Sequence, residues 1–238
     1  VVVSLSAQAP GPPSSPATAL NRRDISGFWW LGYDGRKVPP ANLVPSVTDA
    51  VRRKLAAADV HTTRWCNLVG MPALMDMGRP LDVRQGETMI VMVPEVANAS
   101  PRYVYLNRSA HIDPDVYDPS TNGDSIGRWD GDTLIVDTTG FHDTHGLMAI
   151  PGGAYRTATA RLVERYALLG DGNALSVTFT WTDPKMFRAP HVYEFRYLRY
   201  PAHYEAITPA PCNPWDSLRS SFFEAPAAPK PAASPAGR

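Results

Sequence analysis

Asn122-Gly-Asp-Ser-Ile-Gly-Arg-Trp-Asp-Gly-Asp-Thr-Leu-Ile-Val-Asp-Thr-Thr-Gly-Phe141 consists of two short runs on either side of Asp130-Gly131-Asp132. Ser125–Trp129 and Thr133–Phe141 read as strands. Asp-Gly between them marks a β-hairpin, because both residues tolerate the positive φ of a tight reversal. A two-residue loop at Asp130-Gly131 would put Arg128 opposite Thr133, Ile126 opposite Ile135 and Asp124 opposite Asp137. A three-residue loop would put Ser125 opposite Asp137 instead. In the first register two carboxylates face each other, which raises one pKa and makes an acid and a base from identical side chains. Asp137 stands on a strand otherwise built for a core, so it either pairs with a nearby Arg in water or lines a polar pocket. Asp124, Asp130 and Asp132 are explained by turn geometry.

The β pattern extends outward from this hairpin. Upstream, Ile25–Leu31 is a short aromatic strand, and Leu81–Gln85, Thr88–Val93 and Arg102–Asn107 follow with a turn at Gly86-Glu87. Downstream, a loop over 142–157 leads to Ala158–Leu169, which turns at Gly170-Asp171-Gly172-Asn173 into Ala174–Thr182, and Asp183-Pro184 leads to His191–Tyr200. Leu175, Val177, Phe179 and Trp181 alternate with Ser176, Thr178, Thr180 and Thr182, a two-residue period with one dry face. One helix is expected, capped by Ser46 and running to Ala58, with Val47, Val51, Leu55 and Ala58 on one face. The fold class is therefore all-β and mainly antiparallel: a closed or nearly closed barrel of about eight to ten strands with one N-terminal helix. A β-sandwich is the competing architecture.

The 238 residues, 44% hydrophobic and 19% charged, are enough for one domain with a real core. Residues 1–9, VVVSLSAQA, read as the remnant of a secretory signal peptide, with Ala7-Gln8-Ala9 as a small-x-small cleavage site. Residues 10–23 form a Pro-rich linker, 24–223 the folded domain and 224–238 a Pro/Ala-rich tail. The expected location is thus periplasmic or secreted. There Cys66 and Cys212, the two cysteines of the chain, can form a disulfide worth about 4–5 kcal/mol in the chain-entropy model; two free buried thiols are the alternative. Lys+Arg and Asp+Glu balance at 23 each, which argues against nucleic acid or an anionic membrane as the main partner. No internal apolar run approaches the roughly 18 residues of a membrane span.

Two resemblances bear on this reading. Gly27-Phe28-Trp29 resembles the opening signature of lipocalin-like barrels, where the Trp plugs one end, and implies a cup with an apolar interior. Over most of the domain the blocks Cys66-Asn-Leu-Val-Gly-Met-Pro72, Gly123 to Phe141 and Leu162-Val-Glu-Arg-Tyr166 resemble a largely uncharacterised family of exported bacterial β-rich proteins. Members usually read Cys-x-Pro-x-Gly-Met-Pro at the first block, from which Asn67 to Val69 depart, and carry a His where this chain has Arg156-Thr157. They also tend to end in a Cys soon after a Glu-Tyr pair, whereas Tyr204-Glu205 here stand further from Cys212. The resemblance implies the domain and its export and carries no established reaction.

Polar residues concentrate around the hairpin: His111, Asp113, Asp115, Asp118, Asn122, Asp124, Arg128, Asp137, His142, Asp143 and His145. His142-Asp-Thr-His145 with His111 has the residue types of a zinc site. Its short spacing needs a helix or rigid turn, however, and Gly140 and Gly146 bracket a loop, so neither metal nor cofactor is expected. Alternation puts Glu164 and Tyr166 on one face of their strand and Arg165 on the other. It also puts Glu194 and Arg196 opposite Tyr193, Phe195 and Tyr197. One of these charged groups is either a cluster inside the barrel or a solvated ladder. No nucleophile elbow, phosphate loop or dinucleotide fingerprint occurs.

The expected function is binding of a small apolar or aromatic molecule inside the barrel, on a wall of Thr139, Phe141, Trp181, Tyr193 and Glu164. The alternative is a cofactor-free lyase, isomerase or cyclase. In it Asp137 serves as acid or base, Arg128 or Arg165 stabilises a developing anion, and His111 shuttles a proton. A third class is an envelope interaction protein that uses the outside of the barrel and the Pro-rich ends.

Overall fold

The computed structural model describes residues 20–57, 69–96, 99–142 and 149–200. Cys66, Cys212, Asp143, His145, residues 1–19 and the tail lie outside them. In chain order the elements are β1 (Gly27–Lys37), α1 (Pro45–Ala57), α2 (Ala73–Asp76), β2 (Leu81–Gln85), β3 (Met89–Pro94), β4 (Arg102–Tyr105), β5 (Asp124–Asp130), β6 (Thr133–Thr139), β7 (Ala149–Ile150), β8 (Ala154–Tyr155), β9 (Arg161–Leu169), β10 (Ala174–Thr182) and β11 (His191–Arg199). Nine strands close into one barrel in the order β1-β11-β10-β9-β6-β5-β4-β3-β2, and β7 and β8 form a separate small hairpin. The protein is an all-β barrel, and closure of the sheet rules out the sandwich. Helix α1 opens at Pro45, one residue before the expected Ser46 cap, because a proline's fixed φ and missing N–H suit a first helical position.

Hairpins account for most of the barrel wall. Gly170 (φ 54°) and Gly172 (φ 87°) reverse the chain between β9 and β10, and the Asp171 side chain accepts from the Asn173 amide. The opening hairpin turns one residue later than Asp130-Gly131: its loop is Gly131-Asp132, with Asp130 paired to Thr133 and Gly131 at φ 57°. Ile126 therefore faces Asp137, Ser125 faces Thr138 and Asp124 faces Thr139. The two carboxylates are not cross-strand partners in this register, and Asp137 takes the outer face.

Alternation fills the barrel from eight of its nine strands. Trp29, Val83, Ile90, Val104, Val136, Leu162, Val177 and Phe195 are all buried, each worth about 1.5–3 kcal/mol for an aliphatic or aromatic side chain removed from water. Trp29 is held inside at the start of β1. Its indole N–H donates to the Ile25 carbonyl at 2.9 Å, and the Arg199 guanidinium lies 4.3 Å from its ring centroid.

One seam of the barrel is different. β4 and β5 pair in parallel, through Val104–Ser125 and Tyr105–Ile126 alone. Parallel neighbours cannot be joined by a tight turn, so the chain must make a long crossover between them. Residues 106–123 are that crossover, built around a turn in which the Val116 and Tyr117 amides donate to the Asp113 carbonyl. It runs along the outside of the barrel, and this connection creates the site.

Candidate functional site

Two polar assemblies lie on opposite sides of the same wall. Inside the barrel, Arg102 of β4 is buried against Glu164 of β9, with both side chains fully out of water. Arg102 Nη1 donates to Glu164 Oε1 at 2.9 Å and Nη2 contacts Oε2, the two-pronged geometry that suits guanidinium and carboxylate. Arg102 Nη2 also donates to Thr138 Oγ1 at 2.9 Å, Nε to Ser125 Oγ at 3.3 Å, and the Tyr166 hydroxyl donates to Glu164 Oε1 at 2.8 Å. Burial alone would lower the Arg102 pKa, but the charge of Glu164, then Tyr166 and the hydrogen bonds to both, outweigh it and hold it above the usual value. Burial, and then the Glu164 charge, pushes the Tyr166 phenol well up, so it stays a donor. The face assignment of Glu164 with Tyr166 stands, and they are the charged cluster inside the barrel.

This interior is filled. Trp181 and Tyr193 are buried, and the Trp181 indole N–H donates to the Tyr193 hydroxyl at 3.1 Å. Tyr193 stacks on Phe179 with ring centroids 4.8 Å apart, and Phe141 meets Trp181 at 5.5 Å. A ligand-sized void would leave part of its walls open to water, yet Phe141, Glu164 and Trp181 have no exposed surface. In this structure these expected wall residues pack as core.

Outside, the crossover is tied down by charge. Asp124 is buried beneath it and accepts from Arg108, from the Ile112 amide at 3.0 Å, and from His111 Nδ1 at 3.0 Å. Burial raises the Asp124 carboxyl, but the bonds from Arg108, Ile112 and His111 prevail and hold it below its usual value. His111 Nε2 lies 3.7 Å from Asp137 Oδ1, and Asp137 is paired with Arg161 through both carboxylate oxygens. The structure thus does bring His111 and Asp137 together, as links in a chain Arg108–Asp124–His111–Asp137–Arg161 on the outer face. Arg128 is exposed on β5 beside Trp129 and Arg23 at a second surface hollow, and Arg165 points out near Asp130 at 3.8 Å. Neither stands with Asp137. Thr139 is half-buried on the outer face, opposite Asp124.

Between the crossover and the outer face of β4 and β5 lies a cleft of about 530 Å³. Its walls include Tyr103, Tyr105, Ile112, Tyr117, Asn122 and Asp124. Tyr103 is 46% exposed and Ile112 40%, high for such side chains. Tyr117 is set by Gly140, whose φ of 69° suits glycine and where a Cβ would meet the ring at 2.5 Å. Asn122 is 8% exposed; its Nδ2 is committed to the Ser100 and Pro101 carbonyls at 3.2 and 3.3 Å, and its Oδ1 is buried with no partner. Buried Arg156 gathers the Met71, Thr121 and His142 carbonyls and lies 5.0 Å from the Phe141 ring centroid.

Arg102, Arg108 and the tyrosines of β4 had no advance signal in the sequence. Asn122 and Asp124 did stand in the polar concentration, Asp124 as a turn residue or a partner of Asp137 and Asn122 without a role of its own. Among the described residues no group of three or more His, Cys, Asp or Glu could hold a metal ion. No helix among them is long and apolar enough to cross a membrane. Compared with family models, curated proteins and solved structures, the chain matches none of them.

Proposed function

We propose that this is an exported binding protein for a small aromatic or apolar molecule, and that the ligand sits in the outer cleft under the crossover rather than in the barrel. The observation that carries this is the cleft itself: about 530 Å³, within the range of small-molecule sites, with tyrosine and isoleucine walls and a buried, partnerless amide oxygen. The leader-like first nine residues support export.

The acid–base alternative rests on His111 between Asp124 and Asp137. Each of those carboxylates is already engaged by an arginine, and His111 Nε2 is buried, so the row reads better as a strap that holds the crossover. Native mass spectrometry of the protein purified from its host tests the proposal. A retained small organic mass is expected in the wild type and should be lost in Ile112→Arg, an exposed substitution at the rim. A mass retained equally by Ile112→Arg would place the ligand elsewhere and overturn the reading.

A further inference from the structure

The chemistry of the cleft walls also selects the charge of what enters. Four of the backbone amide donors around it are already used within the protein. Ile112 N donates to Asp124, Ser120 N to the Gly140 carbonyl, Gly123 N to the Ser120 carbonyl, and His142 N to the Ser120 carbonyl. Pro101 and Pro119, which also line it, have no N–H to offer. Asn122 Nδ2 is likewise committed. An anion entering here would find these donors already taken.

Acceptors and negative charge remain. Asn122 Oδ1 is buried and unpartnered. Asp113 follows the lining residue Ile112, and Asp118 stands between the lining residues Tyr117 and Pro119; both are exposed. The charge of Asp118 reaches the wall: the Tyr117 phenol is pushed up first by burial and further by Asp124 and Asp118, against the Ser120 hydrogen bond and the Arg108 charge that pull it down. The nearby cations Arg108 and His111 are both turned to Asp124. The ring of Tyr105 already attracts a cation, with the Arg108 guanidinium 4.1 Å from its centroid. Aromatic faces with acceptors and a carboxylate rim are the usual surroundings of an organic ammonium ion.

We infer that the ligand of this cleft is a small organic cation, an amine or quaternary ammonium joined to an apolar or aromatic body. This rests on the cleft being the binding site. In the bound state the apolar body lies against Tyr103, Tyr105 and Ile112, and the cationic head faces Asn122 Oδ1 and the Asp118 side of the rim.

A matched series separates charge from shape: phenethylammonium, 2-phenylethanol and 3-phenylpropionate, titrated into the full chain and followed by amide chemical shifts. The ammonium is expected to move the Ile112, Ser120 and Gly123 amides and to bind about tenfold tighter than the alcohol, with the carboxylate weakest. Its affinity should fall severalfold on raising salt and about two- to fivefold in Asp118→Asn, an exposed change outside the Asp124 network. Equal binding of ammonium and alcohol, or tighter carboxylate binding, at these amides would overturn the charge inference and leave the cleft as a binding site. If no member of the series moves them, the cleft falls as a site as well.

Discussion

The inside of the barrel and the cleft on its outer wall hold similar residue types in opposite states. Inside, Arg102 and Glu164 are fully buried, and Tyr166, Thr138 and Ser125 supply the remaining partners. A buried guanidinium is tolerable only with that degree of pairing, and once paired it has nothing left for a ligand. Outside, the Asp124 network fixes the crossover, while Asn122 Oδ1 has no partner and Tyr103 stays 46% exposed. A density of polar residues does not mark a site; incomplete satisfaction of their bonds does.

The largest expected effect tests the inner half of that contrast. Glu164→Ala leaves the Arg102 charge buried without its counter-ion and should cost about 3–5 kcal/mol in urea unfolding. Replacing both partners, Arg102→Met with Glu164→Leu, should cost less than the single change, because no unpaired charge remains. The folded fraction of either variant should keep the binding properties of the cleft. A single variant of near wild-type stability would mean that the pair does not hold the barrel, and the lumen would have to be reconsidered as a site.

Asp124→Asn addresses the outer half, at about 1.5–3 kcal/mol near neutral pH for the loss of charge-assisted hydrogen bonds. The Asp124 carboxyl lies below its ordinary value of 3.8 in the folded chain. Its contribution is therefore complete above that value and is lost as pH falls through the lower folded one. The stability gap between wild type and Asp124→Asn should be constant above about pH 5 and close progressively in acid, as read from urea midpoints at each pH. A gap that is independent of pH would remove the carboxylate from the account.

The β-barrel was legible because its hairpins are local. Ala174–Thr182 alternates strictly and is bounded by Gly-Asp-Gly-Asn on one side and Asp-Pro on the other, so both of its ends could be read directly. The parallel seam was not legible, because no tight hairpin joins β4 to β5 and the crossover has no periodicity. β4 also misleads by composition. In Arg-Tyr-Val-Tyr the tyrosines look like the buried residues, yet Arg102 turns inward and Tyr103 outward, because Glu164, Ser125 and Thr138 wait inside. That inversion makes both the filled lumen and the aromatic cleft, and a four-residue strand cannot announce it. The face of Asp137 was legible only as two alternatives, since its hairpin turned at neither of the two expected loops.

A smaller change separates the cleft from the barrel directly. Gly140→Ala puts a methyl where Tyr117 lies and forces a non-glycine residue to φ 69°. About 1–2 kcal/mol of destabilisation is expected from the left-handed backbone alone. The shifts should be confined in NMR to Tyr117 and the 113–123 segment, with the Arg102–Glu164 region unmoved. Shifts spreading into β9 and β10 would show the two regions to be one mechanical unit.

The smallest effect belongs to the residue that drew most attention in the sequence. Asp137 lies on the outer face, its side chain 22% exposed and paired with an Arg161 that is 55% exposed. Partly exposed pairs of this kind contribute about 0.2–1 kcal/mol, since water and salt screen them and two long side chains lose freedom. Asp137→Asn should shift the urea midpoint by no more than that, and a double-mutant cycle with Arg161→Met should give a coupling in the same range. His111 would keep its bond to Asp124, so binding in the cleft should be unchanged. If Asp137→Asn instead abolished ligand turnover while leaving binding intact, the row from Asp124 to Asp137 would be catalytic machinery. The acid–base reading would then displace the binding one. Because the stability cost is expected to be so small, a lost activity in this variant could not be blamed on unfolding.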